Sequence, residues 1–284
     1  MRRYILILTI ALLAHTAYAQ HDLASPKPFI LGETRELWSG ELGEKRVVNI
    51  YLPEGYSKDD TIHYPVIYLL DGGSDEDFIH VVGLVQYNSF PWINRVPKSI
   101  VVGIANTDRK RDMTYPSAKT FYKALCPTSG GSGKFIAFIE KDLQPFIQHT
   151  YKTAPTKTLI GESLGGLLAT EVLLTHPSLF DKYIIIGPSL WWDNGSLLKY
   201  NTTILQKNPR PTDVYIGVGK EGLGLGEEPH VMEVDANVLA DKLKAINNPS
   251  LKVYFDYLPA VTHATIGHPA VFNAFRLLYP VTRE

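Results

Sequence analysis

The residues best suited to chemistry stand at Gly161-Glu162-Ser163-Leu164-Gly165. A short apolar run, Thr158-Leu159-Ile160, enters this Gly-x-Ser-x-Gly pattern, and a helix-forming stretch with Ala169, Val172, Leu173 and Leu174 leaves it. Strand, sharp turn and helix in that order put a serine at the apex, with its hydroxyl exposed to a base. Gly161 and Gly165 add no β-carbon, so strand and helix can approach closely. The helix start behind Ser163 favours negative charge, as on a tetrahedral intermediate. The chemistry implied is nucleophilic attack on a carbonyl.

A serine used this way needs a base, and usually a carboxylate to orient that base. Where such a turn serves catalysis, the chain order is serine, acid, histidine. Lys220-Glu221-Gly222 directly follows a strand ending at Gly219, and Thr262-His263-Ala264 follows the last strand. Ser163, Glu221 and His263 are therefore the candidate catalytic residues. His268 competes with His263, and Glu227, Glu228 and Asp235 compete with Glu221; any of these carboxylates could equally be a solvated surface charge. The oxyanion hole should combine the N–H of Leu164 with one from the loop after an early central strand. Asp71-Gly72-Gly73 occupies that place, and Gly73 is the expected donor, with Gly72 as the alternative and a plain glycine turn as the simplest reading.

The elements that must position these groups read as follows. Strands are expected at 34–39, 46–53, 64–70, 99–104, before the elbow, and at 183–187, 214–219 and 251–257. Helices are expected at about 77–85, at 135–151 (where Pro145 could kink or end the helix), after Ser163, at 234–246 and at 269–278. Alternation of apolar strands with helices implies a mostly parallel sheet covered on both faces. Residues 113–133 read either as a flexible linker or as an active-site rim. Gly222-Leu223-Gly224-Leu225-Gly226 lacks the strand–helix context of a nucleotide site and reads as a mobile loop.

The 284 residues carry a formal charge of -1, with 45% hydrophobic and 20% charged residues, a balance that does not suggest nucleic-acid binding. Arg2 and Arg3 precede an apolar run over 4–14, and Ala17-Tyr18-Ala19 follows. That is the layout of a secretory signal peptide cleaved after Ala19, leaving 20–284 as a single domain. The run is too short for a membrane anchor. Losing both arginines takes the formal charge from -1 to -3. A periplasmic or secreted location follows. Cys126 is the single cysteine, so neither an intrachain disulfide nor a cysteine metal cluster is expected. It could be a nucleophile, but a buried or incidental thiol is the commoner case.

Tyr64-Pro65-Val66-Ile67-Tyr68-Leu69-Leu70-Asp71-Gly72, Val101-Val102-Gly103-Ile104 with 109–114, and Gly161-Glu162-Ser163-Leu164-Gly165-Gly166 resemble the large esterase family of the α/β-hydrolase fold. That family includes siderophore (enterobactin-type) esterases, feruloyl and acetyl esterases, and S-formylglutathione hydrolases. Gly187-Pro188-Ser189-Leu190-Trp191-Trp192 is similar to a segment of the siderophore-esterase branch, with Gly187 where that branch usually has serine. The resemblance implies an α/β-hydrolase fold, a Ser163–His263–Glu221 triad or a Ser–His dyad, and no metal or cofactor. It places Arg109 and Trp191 near the substrate, with Arg109 on an anionic or catecholate group. Alternatively, Arg109 pairs with Asp112. The expected activity is exported serine ester hydrolysis of a small-molecule or saccharide ester. An acyltransferase using the same serine and a non-catalytic binding module on the same fold are the other classes. Oligomeric state has no signal here.

Overall fold

Eight strands pair into one sheet in the order β1-β2-β4-β3-β5-β6-β7-β8. They are β1 (Glu33–Ser39), β2 (Glu44–Tyr51), β3 (Tyr64–Leu69), β4 (Ile100–Ile104), β5 (Thr153–Glu162), β6 (Lys182–Ile186), β7 (Thr212–Gly219) and β8 (Leu251–Leu258). β1, β2 and β4 are paired antiparallel, and every pairing from β4 through β8 is parallel. The computed structural model describes residues 27–59 and 61–280. Gly32–Glu284 form one compact unit, to which all that follows refers; in the separate segment Met1–Leu31, residues 27–31 carry no helix or strand. The signal-peptide reading of 1–19 lies outside the described residues.

The central strands are runs of β-branched and aromatic residues because both of their faces are covered. β4 is buried at all five positions, and Ile67, Tyr68, Leu159, Ile184 and Val214 are also out of contact with water. Each such side chain contributes roughly 1.5–3 kcal/mol through burial. The covering helices are α1 (Phe78–Asn88), a continuous helix α2 over 132–150, α3 (Leu164–Thr175), α4 (Met232–Lys244) and α5 (Gly267–Leu278). α3 packs on β5 and β6, α4 on β7 and β8, and α5 on β6, β7 and β8 as well as on α1.

Two expectations change. Pro145 does not end α2: a π-helical turn, Phe138–Leu143, precedes it, and Pro145 falls in the first turn of Gln144–Thr150. The wider turn ends with Gln144 N–H on the Ile139 carbonyl, directly before the residue that has no N–H to give. Nor is 113–133 a flexible linker. It contains a short helix, Thr120–Leu125, and buries Tyr122 and Cys126 in the core. The Tyr122 hydroxyl meets the Trp191 carbonyl at 2.9 Å and Asn194 Oδ1 at 2.8 Å, so this stretch is packed onto the segment after β6.

Candidate active site

β5 ends at Glu162 and α3 begins at Leu164, leaving Ser163 alone at the turn with φ 58°. A side-chained residue holds that conformation only where its surroundings enforce it. Here the Ser163 N–H donates to the Ile186 carbonyl at 3.0 Å, and the Ser163 carbonyl accepts from Leu167 N–H at 2.9 Å. A β-carbon on Gly161 would lie 2.3 Å from the Gly165 carbonyl oxygen, so only glycine allows the strand and helix to close around the turn. Leu164 opens α3, and its N–H has no intrahelical acceptor.

Ser163 Oγ lies 3.0 Å from His263 Nε2, and His263 Nδ1 lies 2.7 Å from Glu221 Oε2. Ser189 Oγ is a further neighbour of the serine hydroxyl, at 3.3 Å. The Glu221 side chain is wholly buried, and its Oε1 accepts the Gly219 N–H at 3.0 Å. Glu233, at the start of α4, accepts the N–H groups of Glu221 and Gly222 at 3.0 and 2.9 Å and so fixes the backbone that carries the acid. The hydrogen bond that Glu221 accepts from Nδ1 raises the His263 pKa, with burial opposing it. Gly187 sits directly behind this pair with φ +43°; a β-carbon there would come 2.8 Å from Glu221 Oε1. A serine at 187, as in the resembling branch, would push on this carboxylate.

The competing groups go elsewhere. Glu228 accepts from Asn194 Nδ2 at 2.9 Å, and Asp235 meets His230 Nδ1 at 2.8 Å. The His268 ring stands edge-on to His80, with centroids 5.2 Å apart.

The expected oxyanion loop differs from a simple open donor. The Gly72 N–H is committed to the Ile104 carbonyl at 2.9 Å, which removes it from consideration. The Gly73 N–H is occupied too: it donates to Glu76 Oε2 at 2.7 Å. The reason is a tight turn, closed by Glu76 N–H on the Gly73 carbonyl at 3.1 Å, that folds this carboxylate back onto the loop. Asn106 Nδ2 holds the other oxygen of Glu76 at 2.7 Å.

Arg109 and Trp191 are both engaged by the protein's own groups. Arg109 Nε donates to Asp71 Oδ1 at 2.6 Å and Nη2 to Asp71 Oδ2 at 2.9 Å, so this edge of the guanidinium is filled by the protein's own carboxylate. It does not pair with Asp112, which receives Arg46 at 2.6 Å and Arg111 at 2.7 Å. Trp191 is only 8% exposed. Tyr122 stacks on it at 6.3 Å between centroids, and a β-carbon on Gly224 would lie 2.4 Å from its Cδ1. The glycine-rich stretch is therefore a cover over Trp191 and not a mobile loop. A Leu223–Val231 bridge, Gly224 N–H on the His230 carbonyl and Met232 N–H on the Gly222 carbonyl pin it in place.

Several groups were not singled out from the sequence as functional: Asp71, Glu76, Asn106, Glu233 and Glu162. Asp71 and Asn106 stand just past the ends of β3 and β4, which is the one signal that could have marked them. The Glu162 carboxyl, next to Ser163, is pushed up to about 7, chiefly by burial and then by Asp77. Among the described residues, no cluster of three or more His, Cys, Asp or Glu could hold a metal ion, and no helix is long and apolar enough to cross a membrane.

The family described as "Putative esterase" matches residues 39–257. The chain belongs to this esterase family. It is a carboxylic ester hydrolase of the α/β-hydrolase fold, as the motifs around Asp71, Ser163 and Gly187 implied. The esterase is 28% identical to the ferri-bacillibactin esterase BesA of Bacillus subtilis over 84% of this chain and 86% of that protein. An IroE-like serine hydrolase from Shewanella oneidensis, a solved structure, is 31% identical with a TM-score of 0.76, covering 87% of this chain and 80% of that one. A solved ferulic acid esterase, at 15% identity and TM-score 0.65 over 87% of this chain and 97% of its own, shares the fold.

Proposed function

We propose that this esterase is an exported serine hydrolase working through an acyl-enzyme, with Ser163 as nucleophile, His263 as base and Glu221 as the orienting acid. The observation that carries the reading is the unbroken relay of 3.0 Å from Ser163 Oγ to His263 Nε2 and 2.7 Å from His263 Nδ1 to Glu221 Oε2. Both lengths are within hydrogen-bond reach for proton transfer. His263 Nε2 takes the hydroxyl proton as Oγ attacks the ester carbonyl. The carbonyl oxygen becomes an oxyanion, met by the N–H of Leu164 and, once the Glu76 carboxylate yields its place, by that of Gly73. Collapse breaks the bond to the alcohol oxygen, and His263 returns the proton to it. Water then repeats the sequence on the acyl-Ser163, releasing the acid and the free enzyme.

BesA is named as an esterase of a ferric siderophore, and siderophore esters are the substrate class proposed first here. Export rests on the Arg2-Arg3 leader and the Ala17-Tyr18-Ala19 site, with 20–284 as one mature domain. The test is hydrolysis by residues 20–284 of p-nitrophenyl acetate, a feruloyl ester and a trilactone siderophore, with and without iron. Ser163→Ala should lose about 10⁴-fold or more in kcat on every ester. Retained turnover in that variant would rule out the serine mechanism. The best ester identifies the substrate class, and an N-terminus beginning at Gln20 in the exported fraction supports export.

A further inference from the structure

The two donors proposed for the oxyanion come from different elements: Leu164 from the turn after β5, and Gly73 from the turn after β3. The sheet aligns those strands as far as Leu69 opposite Ile160, and Leu70 N–H still reaches the Ile160 carbonyl at 3.0 Å. Past that point no ladder joins the turns. One side chain does. Arg109, from the turn after β4, donates to both carboxylate oxygens of Asp71 at 2.6 and 2.9 Å and, through Nη2, to the Glu162 carbonyl at 3.3 Å. It therefore holds the residue two before Gly73 and the residue just before Ser163 with one rigid, planar group.

What it holds is under tension. Asp71 has φ 54° and Ser163 φ 58°, a region few side-chained residues adopt. The Asp71 carboxylate is gripped a second time by Asn106 Nδ2 at 2.6 Å. Its Oδ2 lies 3.3 Å from where a β-carbon of Gly165 would stand, so the carboxylate rests against the first turn of α3. The peptide planes after Asp71 have holds of their own, with Asp77 N–H on the Asp71 carbonyl at 3.0 Å, Gly72 N–H on the Ile104 carbonyl at 2.9 Å and Asn49 Nδ2 on the Gly72 carbonyl at 2.9 Å, so the turn keeps its shape without Arg109. What Arg109 adds is the link from that turn to the Glu162 carbonyl; released from it, the turn could shift as a unit against Ser163 and carry Gly73 N–H with it.

We propose that Arg109 is a positioning residue that sets the distance between the two halves of the oxyanion hole, acting through Asp71 and the Glu162 carbonyl and not through the substrate. The inference rests on the assignment of Ser163, Leu164 and Gly73 above.

The test uses mature enzyme carrying Arg109→Gln, Arg109→Lys, Asp71→Asn or Arg109→Gln with Asp71→Asn. Each is assayed on neutral p-nitrophenyl acetate and anionic mono-p-nitrophenyl succinate, with thermal unfolding alongside. Loss of oxyanion alignment should lower kcat about 100-fold in Arg109→Gln while KM stays within about threefold, equally for both esters. Arg109→Lys, which keeps the charge but not the fork, should fall between Arg109→Gln and the parent. The double variant should be no worse than the poorer single one, because both changes break one contact. Two results would overturn the inference: a kcat near the parent value in a folded Arg109 variant, or a loss confined to the KM of the anionic ester. Should Arg109→Gln not fold, Arg109→Lys is judged by the same criteria. Ser163→Ala separates the two levels. If it is inactive while the Arg109 variants keep kcat, only the clamp is refuted; if it stays active, the serine assignment falls and the clamp with it.

Discussion

His263 is subject to two opposed influences: the Glu221 carboxylate raises its pKa and burial lowers it, and the carboxylate prevails. In its proposed role as base it must be neutral, so activity should rise with pH through a midpoint above the ordinary histidine value of 6.5. Glu221→Gln keeps the shape of the acid and removes its charge, leaving burial and Arg109 opposed only by the weaker influence of Glu162. The midpoint of kcat/KM against pH should then move down, and kcat should drop by about 10²–10⁴-fold as the ring loses its orienting partner. A profile on p-nitrophenyl acetate reads both effects at once. An unmoved midpoint would mean that Glu221 does not govern His263 in solution.

Whole elements act here mainly by covering and bracing. The hairpin that leaves β7 carries Glu221 at its base and Gly224 over Trp191, and Glu233 at the start of α4 ties its backbone. Gly224→Ala would put a β-carbon 2.4 Å from Trp191 Cδ1, which the packed indole has no room to accept. The hairpin must lift, and overpacking of this kind costs roughly 1–3 kcal/mol. Calorimetry should show a lower melting temperature, and tryptophan emission should shift to the red as Trp191 meets water. Unchanged stability and emission would mean that the hairpin does not press on Trp191 in solution. β2 is braced by a similar long-range device. Buried Arg46 reaches Asp112 at 2.6 Å and lies over the rings of Phe135 and Phe138 at 5.1 and 5.6 Å, joining β2, the turn after β4 and α2.

For the molecule as a whole, buried carboxyls link stability to pH. Glu171 on α3 is pushed up to about 7, chiefly by burial; Ser132 Oγ donates to one of its oxygens at 3.0 Å, and the other is buried without a partner. The unfolded chain loses this proton near 4.5, so between 4.5 and about 7 the folded state binds more protons. The stability it contributes is present below that window and lost as pH rises through it. Glu171→Gln carries no titrating group. Its melting temperature should be a few degrees above the parent at about pH 8 and should vary less between about pH 5 and 8. Parallel melting curves for the two proteins would overturn this account.

Local sequence determined the strands, the elbow and the fold family. Apolar runs, turn glycines and helix-forming stretches act over a few residues, and their order in the chain set the order of strand ends at which Ser163, Glu221 and His263 stand. Tertiary structure alone decided the pairings. Arg109 meets Asp71, 38 positions away, and not nearby Asp112, because β3 and β4 are neighbours in the sheet. Glu221 turns toward His263 while Glu228 and Asp235 find Asn194 and His230, a choice that spacing could not make. The Gly73 N–H is occupied and Trp191 is covered for the same reason. Turns and cross-chain packing fix which donors and rings remain open, and those contacts join residues whose separation in sequence carries no trace of their meeting.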